Sequence, residues 1–192
     1  MASRSNPLTA DDMLELPLPD GLSGYEFVDG RPVPVTLASI MHSQLMTRVT
    51  MRLGRYIEES GIGGEVLAEA GFILGLQRDP ERMRGPDVAY VTKASFQRYG
   101  HPGARLARFA PDLAIEIDVH GPRKQGGMQR VRDYLDAGVR LVWTIDPRKR
   151  SATVFRQDGS VVQLSQRDAL DGDDVVPGFQ LPLEELFRGV ID

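Results

Sequence analysis

Three carboxylates set in two short apolar segments mark where chemistry could sit in this 192-residue chain. Pro86-Asp87-Val-Ala-Tyr-Val91 carries one acid, and Leu113-Ala-Ile-Glu116-Ile-Asp118-Val119 carries two. Read as a strand, the second segment puts Leu113, Ile115, Ile117 and Val119 on one face and Ala114, Glu116 and Asp118 on the other. Residues two apart on a strand lie about 6.5–7 Å apart, near enough for two carboxylates to share one cation or its water shell. Hard oxygen donors suit magnesium or manganese. Asp87 adds a third donor if its strand neighbours 112–119. Between two helical layers such acids are costly unless paired. A competing reading pairs Glu116 and Asp118 with arginines from 123 to 132, or turns them to solvent at a strand end. The residue types leave both open.

Other polar groups have a weaker claim. Glu26, flanked by Tyr25 and Phe27 in a hairpin arm, projects to the same interior or does no more than decorate a strand. His42 opens a long helix, where the dipole predicts a lowered imidazole pKa and a role in positioning water or binding metal; a satisfied core histidine is the alternative. Glu69 lines the site or is an edge charge. Positive charge near the acids comes from Arg123, Lys124, Arg130 and Arg132, with Arg130 and Tyr134 four apart on one side of a helix. Arg130 there is either a phosphate clamp or half of an ordinary ion pair with Glu116. His101 and His120 show no zinc-ligand spacing, and Gly121-Pro-Arg-Lys-Gln-Gly-Gly127 matches neither nucleotide-binding glycine pattern. No Gly-x-Ser-x-Gly motif supports a serine hydrolase.

The elements that must position these groups follow from periodicity. Thr9, with Asp12 three residues on, predicts a short capped helix. Residues 25–35 predict a hairpin turning at Asp29-Gly30, with Pro32 and Pro34 confining its second arm to an edge. Leu45, Val49, Leu53 and Tyr56 recur at helical spacing and predict a helix over 38–59, ended by Gly61. Strands are predicted at 64–69, 71–76, 86–91 and 112–119, with a polar stretch at 93–109. A helix over 128–137, closed by Gly138, leads to the strand Leu141-Val-Trp-Thr-Ile145. Strand, helix and strand over 112–145 form a crossover and so one parallel pair. Turns at 146–150 and Asp158-Gly159 make the last three strands an antiparallel meander. The expectation is a mixed α/β (α+β) sheet core flanked by helices, as a single domain over 1–192 with its core at about 9–187.

Composition narrows the class. Apolar content of 41% and charged content of 26% describe a globular chain. A net charge of −4 argues against nucleic-acid binding driven by global charge, leaving a local basic patch open. With no cysteine there is no disulfide and no thiolate-ligated metal, which fits a cytoplasmic protein. No apolar run reaches the ~18–20 residues of a membrane span, and Asp11, Asp12 and Glu15 are out of place in a signal peptide. No membrane role is expected. An open sheet edge at the terminal hairpin suits a homodimer.

Taken in order, several segments resemble the Uma-type restriction-endonuclease family, a branch of the PD-(D/E)xK superfamily. They are Tyr25-Glu-Phe-Val-Asp-Gly30, His42 at its helix start, Glu69-Ala-Gly-Phe72, Gly85-Pro-Asp-Val-Ala-Tyr-Val91 and Pro111-Asp-Leu-Ala-Ile-Glu116. Tyr134 to Pro147 and Val176-Pro-Gly-Phe-Gln-Leu-Pro-Leu-Glu-Glu-Leu-Phe187 complete the set. The resemblance implies a restriction-endonuclease-like core, Asp87 and Glu116 as metal-binding acids, Glu26 and His42 as accessory residues, and magnesium-dependent hydrolysis of DNA phosphodiesters. It also implies a lysine, and here the chain departs. Asp118 stands two residues after Glu116, where the superfamily has it, and Arg130 stands where the family moves it. Arginine is too basic to deprotonate water and acts as a charge clamp. Lys124, His42 or His120 would have to take the base role, unless metal-bound hydroxide needs none. Three functions remain open: a nuclease, a degenerate protein that binds metal or nucleic acid, and an interaction scaffold.

Overall fold

The structure is a computed structural model and describes residues 8–99, 105–117 and 127–190. Its centre is a six-stranded sheet in the order β10-β9-β8-β7-β6-β3. The strands are β3 (Glu65–Ala68), β6 (Val88–Val91), β7 (Leu113–Ile117), β8 (Leu141–Asp146), β9 (Ser151–Arg156) and β10 (Val161–Leu164). Only β7 and β8 run parallel, joined through α4 (Gly127–Asp136), and β8, β9 and β10 form the antiparallel meander.

Both faces of this sheet are covered, which is why its strands read as nearly unbroken apolar runs. On one face lies α2 (Ile40–Ser60), capped by the Ser39 side chain and stopped by Gly61 in the left-handed conformation. Its Leu45, Val49, Leu53 and Ile57 pack on Val88, Tyr90, Leu113, Ile115 and Trp143. Trp143 also stacks on Phe179, with ring centroids 6.2 Å apart. On the other face α4 lays Val131 and Tyr134 against Ala89, Val91, Ala114 and Val142.

A second, smaller sheet has the order β2-β1-β5-β4, with β1 (Leu22–Val28), β2 (Arg31–Thr36), β4 (Phe72–Ile73) and β5 (Met83–Arg84). The hairpin turn at Asp29 (φ 51°) and Gly30 (φ 72°) is as expected, and the proline-bearing β2 is an edge strand. α1 (Ala10–Met13) carries the full capping box between Thr9 and Asp12, and its Ala10 and Met13 share a small core with Phe27, Ile73, Met83 and Leu106.

Three features differ from the sequence expectation. The strand predicted at 71–76 shortens to β4, because the chain folds back through 74–82 to pair Phe72 with Arg84 and Ile73 with Met83. The polar stretch after 92 contains α3 (Lys93–Tyr99), started by the Thr92 hydroxyl accepting from the Ser95 amide. The C-terminal segment forms a ribbon of β11 (Ala169–Asp171) and β12 (Gln180–Pro182) and then α5 (Leu183–Phe187), whose Leu183, Leu186 and Phe187 complete the core over α2. No helix among the described residues is long and apolar enough to cross a membrane.

Candidate active site

Asp87 and Glu116 meet because their strands are antiparallel neighbours. β6 and β7 pair Val88 with Ile115 and Ala89 with Ala114, so one further step of the register sets Asp87 opposite Glu116 on the α4 face. The Ile117 amide donates to Asp87 Oδ2 at 2.5 Å, fixing that carboxylate at the strand end. Parallel pairing adds Thr144 of β8 beside Glu116.

Each remaining group arrives from a different layer. α4 contributes Arg130 and Tyr134, four residues apart on its inner side. The Tyr134 hydroxyl donates to Glu116 Oε1 at 2.6 Å, and Arg130 Nη1 donates to both Glu116 oxygens at 3.3 and 3.4 Å. β1 contributes Glu26, buried, with Oε1 2.8 Å from Arg130 Nη1. α2 contributes His42, whose Nε2 lies 3.0 Å from Asp87 Oδ1. Glu26, His42, Asp87, Glu116 and Arg130 line one cleft of about 1090 Å³. The side chains of Asp87 and Glu116 keep 18% and 13% of their surface exposed, so a small ligand reaches them from the cleft.

Asp118 and Lys124, the expected third metal ligand and candidate lysine, lie outside the described residues, as do His101, His120 and Arg123. Glu69 lines the cleft rim in a left-handed conformation (φ 52°), which costs a non-glycine residue about 1–2 kcal/mol.

The electrostatics follow from burial among like charges. Burial pushes the Glu116 carboxyl up to about 7; Arg130 and the Tyr134 hydrogen bond pull it back, and the nearby Asp87 and Glu26 charges add to the push. Burial opposes the charge on Arg130, yet Glu116 and Glu26 raise its pKa above the ordinary arginine value, so it is a cation at every working pH. Tyr134, enclosed beside Glu116, is raised well above 10 and stays a phenol donor. The lowered pKa expected for His42 is overturned. Burial does lower it, but the hydrogen bond and charge of Asp87, with Glu69 and Glu116 behind, outweigh burial and raise it above 6.5. His42 commits Nε2 to Asp87, while its Nδ1 is buried and has no hydrogen-bond partner among the described residues.

Behind the cleft lies a buried ionic chain that residue types gave little sign of. Arg84 of β5 donates through Nη1 to Glu26 Oε2 at 2.7 Å, and through Nε and Nη2 to Asp133 Oδ2 at 3.0 and 2.6 Å. Asp133 on α4 also accepts from Gln129 at 2.9 Å and pairs with Arg78. The signal that could have found this chain is Arg82-Met-Arg84: alternation sends Met83 into the small core and both arginines to the opposite face.

The donors present do not fit a divalent ion as they stand. Asp87 already has His42 on one oxygen and the Ile117 amide on the other, while Glu116 has Arg130 and Tyr134. Among the described residues no group of three or more acids or histidines is placed to hold a metal. The arrangement does provide a fixed cation at the cleft wall and a carboxyl that exchanges its proton near neutral pH.

No curated protein matches this chain. In fold it is similar to a solved structure from Anabaena variabilis described as "a putative nuclease belonging to DUF820". The TM-score is 0.75 at 20% identity, covering 96% of this chain and all of the other. That likeness agrees with the mixed, helix-flanked, restriction-endonuclease-like core described above. A family model described as "Uma2: Putative restriction endonuclease" matches residues 10–184, nearly the whole length. The chain belongs to the Uma2 family.

Proposed function

We propose that this protein is a nuclease that hydrolyses phosphodiester bonds of DNA in the cleft bounded by β1, β6, β7 and α4. The observation that carries this reading is the meeting of Asp87, Glu116, Glu26 and Arg130, from four separate elements, at one solvent-reached point. Arg130 stays charged and is suited to clamp a phosphate oxygen. Glu116, whose carboxyl is pushed up to about 7 while no ion is bound, must give up its proton before it can serve as a ligand. His42 orients Asp87. Magnesium or manganese is the ion class proposed, being what hard carboxylate oxygens take, with Asp87, Glu116 and Asp118 as its acids. A homodimer pairing along the free edge of β10 is proposed as well, since Val161 and Val162 are exposed there.

Cleavage of single-stranded DNA, double-stranded DNA and RNA with magnesium and with manganese tests the reading, with Asp87→Ala and Glu116→Gln in parallel. Cleavage by the wild type that both variants lose is the expected result. No cleavage of any substrate with either ion would refute it. The ion pairing of Glu26 and Glu116 with Arg130 favours a second reading, a protein that binds nucleic acid without cutting it. Binding retained in the absence of cleavage would select that one.

A further inference from the structure

The carboxylates best placed to anchor a cation already hold one. A single guanidinium nitrogen, Arg130 Nη1, lies 2.8 Å from Glu26 and 3.3 Å from Glu116. These acids come from the two different sheets, and Arg130 bridges them from α4. Glu26 cannot turn away, because Arg84 grips its other oxygen at 2.7 Å. Arg84 cannot turn away either, because two of its nitrogens are held by the buried Asp133. Asp133 lies on α4 one helical turn after Arg130, so the chain of charges Arg130–Glu26–Arg84–Asp133 starts and ends on the same helix. Such a closed ring fixes Arg130 far more firmly than one flexible ion pair would, since moving any member strands a buried charge.

We infer that Arg130 is the resident cation of this site, kept in place by Arg84 and Asp133 as positioning residues, and that a divalent ion enters only by displacing it. The acids here neutralise one positive charge, and the guanidinium supplies it internally. Without that guanidinium, Glu26 would keep Arg84, but Glu116 would be left with the Tyr134 hydroxyl alone and Asp87 close by, a cost relieved by a proton or by another cation. The cleft gives the displaced side chain somewhere to go: Arg130 lines it and is 25% exposed. The inference rests on the nuclease reading only for the class of ion, not for cleavage.

The test is the affinity of the full chain for Mn2+ alone, read from the electron paramagnetic resonance signal of the free ion without nucleic acid. It is run at pH 8, where protons compete less for the acids. Arg130→Gln should bind Mn2+ at least tenfold more tightly than the wild type. Arg84→Lys keeps the charge but cannot hold Glu26 and both Asp133 contacts together, so it should fall between the two. It also serves if Arg130→Gln fails to fold, which circular dichroism reports. Affinities in the folded variants equal to or weaker than the wild type, or no Mn2+ binding by any protein at millimolar concentration, would overturn the inference. Cleavage assayed alongside separates the two ideas. Tighter binding by the variants with no cleavage by the wild type supports this inference and sinks the nuclease. Cleavage with unchanged affinities does the reverse.

Discussion

Truncating Asp133 to alanine should be among the more damaging single changes outside the apolar core. The carboxylate is fully enclosed, and it is approached by Arg84 at 2.6 Å, Gln129 at 2.9 Å, Arg82 at 3.7 Å and the nearby Arg78. Removing it leaves Arg82 and Arg84, whose side chains are 4% and 7% exposed, without their shared acid. Removing one partner of a buried pair costs about 3–5 kcal/mol. The lower end applies, because Arg84 keeps Glu26 and Arg82 keeps Asp29 at 2.7 Å. For a chain of this size about 3 kcal/mol lowers the melting temperature by about 6–12 °C. Asp29→Asn is the matched control: its partner is the same Arg82, but Asp29 is 77% exposed, and asparagine tolerates its left-handed backbone. That control should cost less than about 1 kcal/mol. Burial raises the Asp133 pKa, but its bonds to Arg84 and Gln129 outweigh burial and lower it below 3.8. A depressed folded pKa means the stabilisation is fully present above the unfolded value of about 3.9 and fades as pH falls through the folded one. The gap between wild type and Asp133→Ala in thermal melts should therefore be constant from pH 5 to 7 and narrow below pH 4. A variant melting within about 2 °C of the wild type, or no lower than Asp29→Asn, would refute the reasoning.

Three further outcomes are expected. Carbon-detected NMR should show the Glu116 carboxyl titrating near 7, so the folded state gains protons that the unfolded one lacks between pH 4.5 and 7, and this contribution to stability is lost as pH rises; a midpoint below 5 would contradict it. The His42 imidazole should titrate above 6.5, its stabilisation present below that pH and lost as pH rises through the folded value. In Asp87→Asn the midpoint should drop, because burial then acts with less opposition; an unmoved midpoint would exclude Asp87 as the cause. Gly64→Ala should destabilise by more than about 1–2 kcal/mol in chemical denaturation. Gly64 has φ 96°, and its added Cβ would lie 2.6 Å from the Val91 carbonyl and 2.7 Å from the Tyr90 ring.

What was legible in the sequence was local. Alternation in 113–117 separated Ile115 from Glu116, and helical spacing found Leu45, Val49, Leu53 and Tyr56, because both patterns record which side faces a core. α3 escaped since Lys93-Ala-Ser-Phe-Gln-Arg-Tyr99 has no apolar stripe, and only Thr92 hinted at a cap. The His42 pKa was misjudged because the helix terminus is a local feature while Asp87, Glu69 and Glu116 are distant in sequence. Arg84 escaped for a related reason: the Arg82-Met-Arg84 alternation separates two faces, but the burial of the arginine face comes from pairing of β5 with β1 and β4.

Trp143 makes the molecule its own spectrometer, with a blind spot. It is the only tryptophan of the chain, enclosed between the six-stranded sheet and Phe179. Its emission reports the melting of that layer and is silent about the small core around Phe27, Ile73 and Met83. The sheet over that small core supplies Glu26 and Arg84 to the cleft, and it is tied to the rest by these charges and by Phe72, Leu74 and Leu76, which share a buried cluster with Ala89, Ala114 and Tyr134. A fluorescence transition that lags the far-ultraviolet dichroism would reveal the two sheets as separate cooperative units, while coincident curves would show them melting as one.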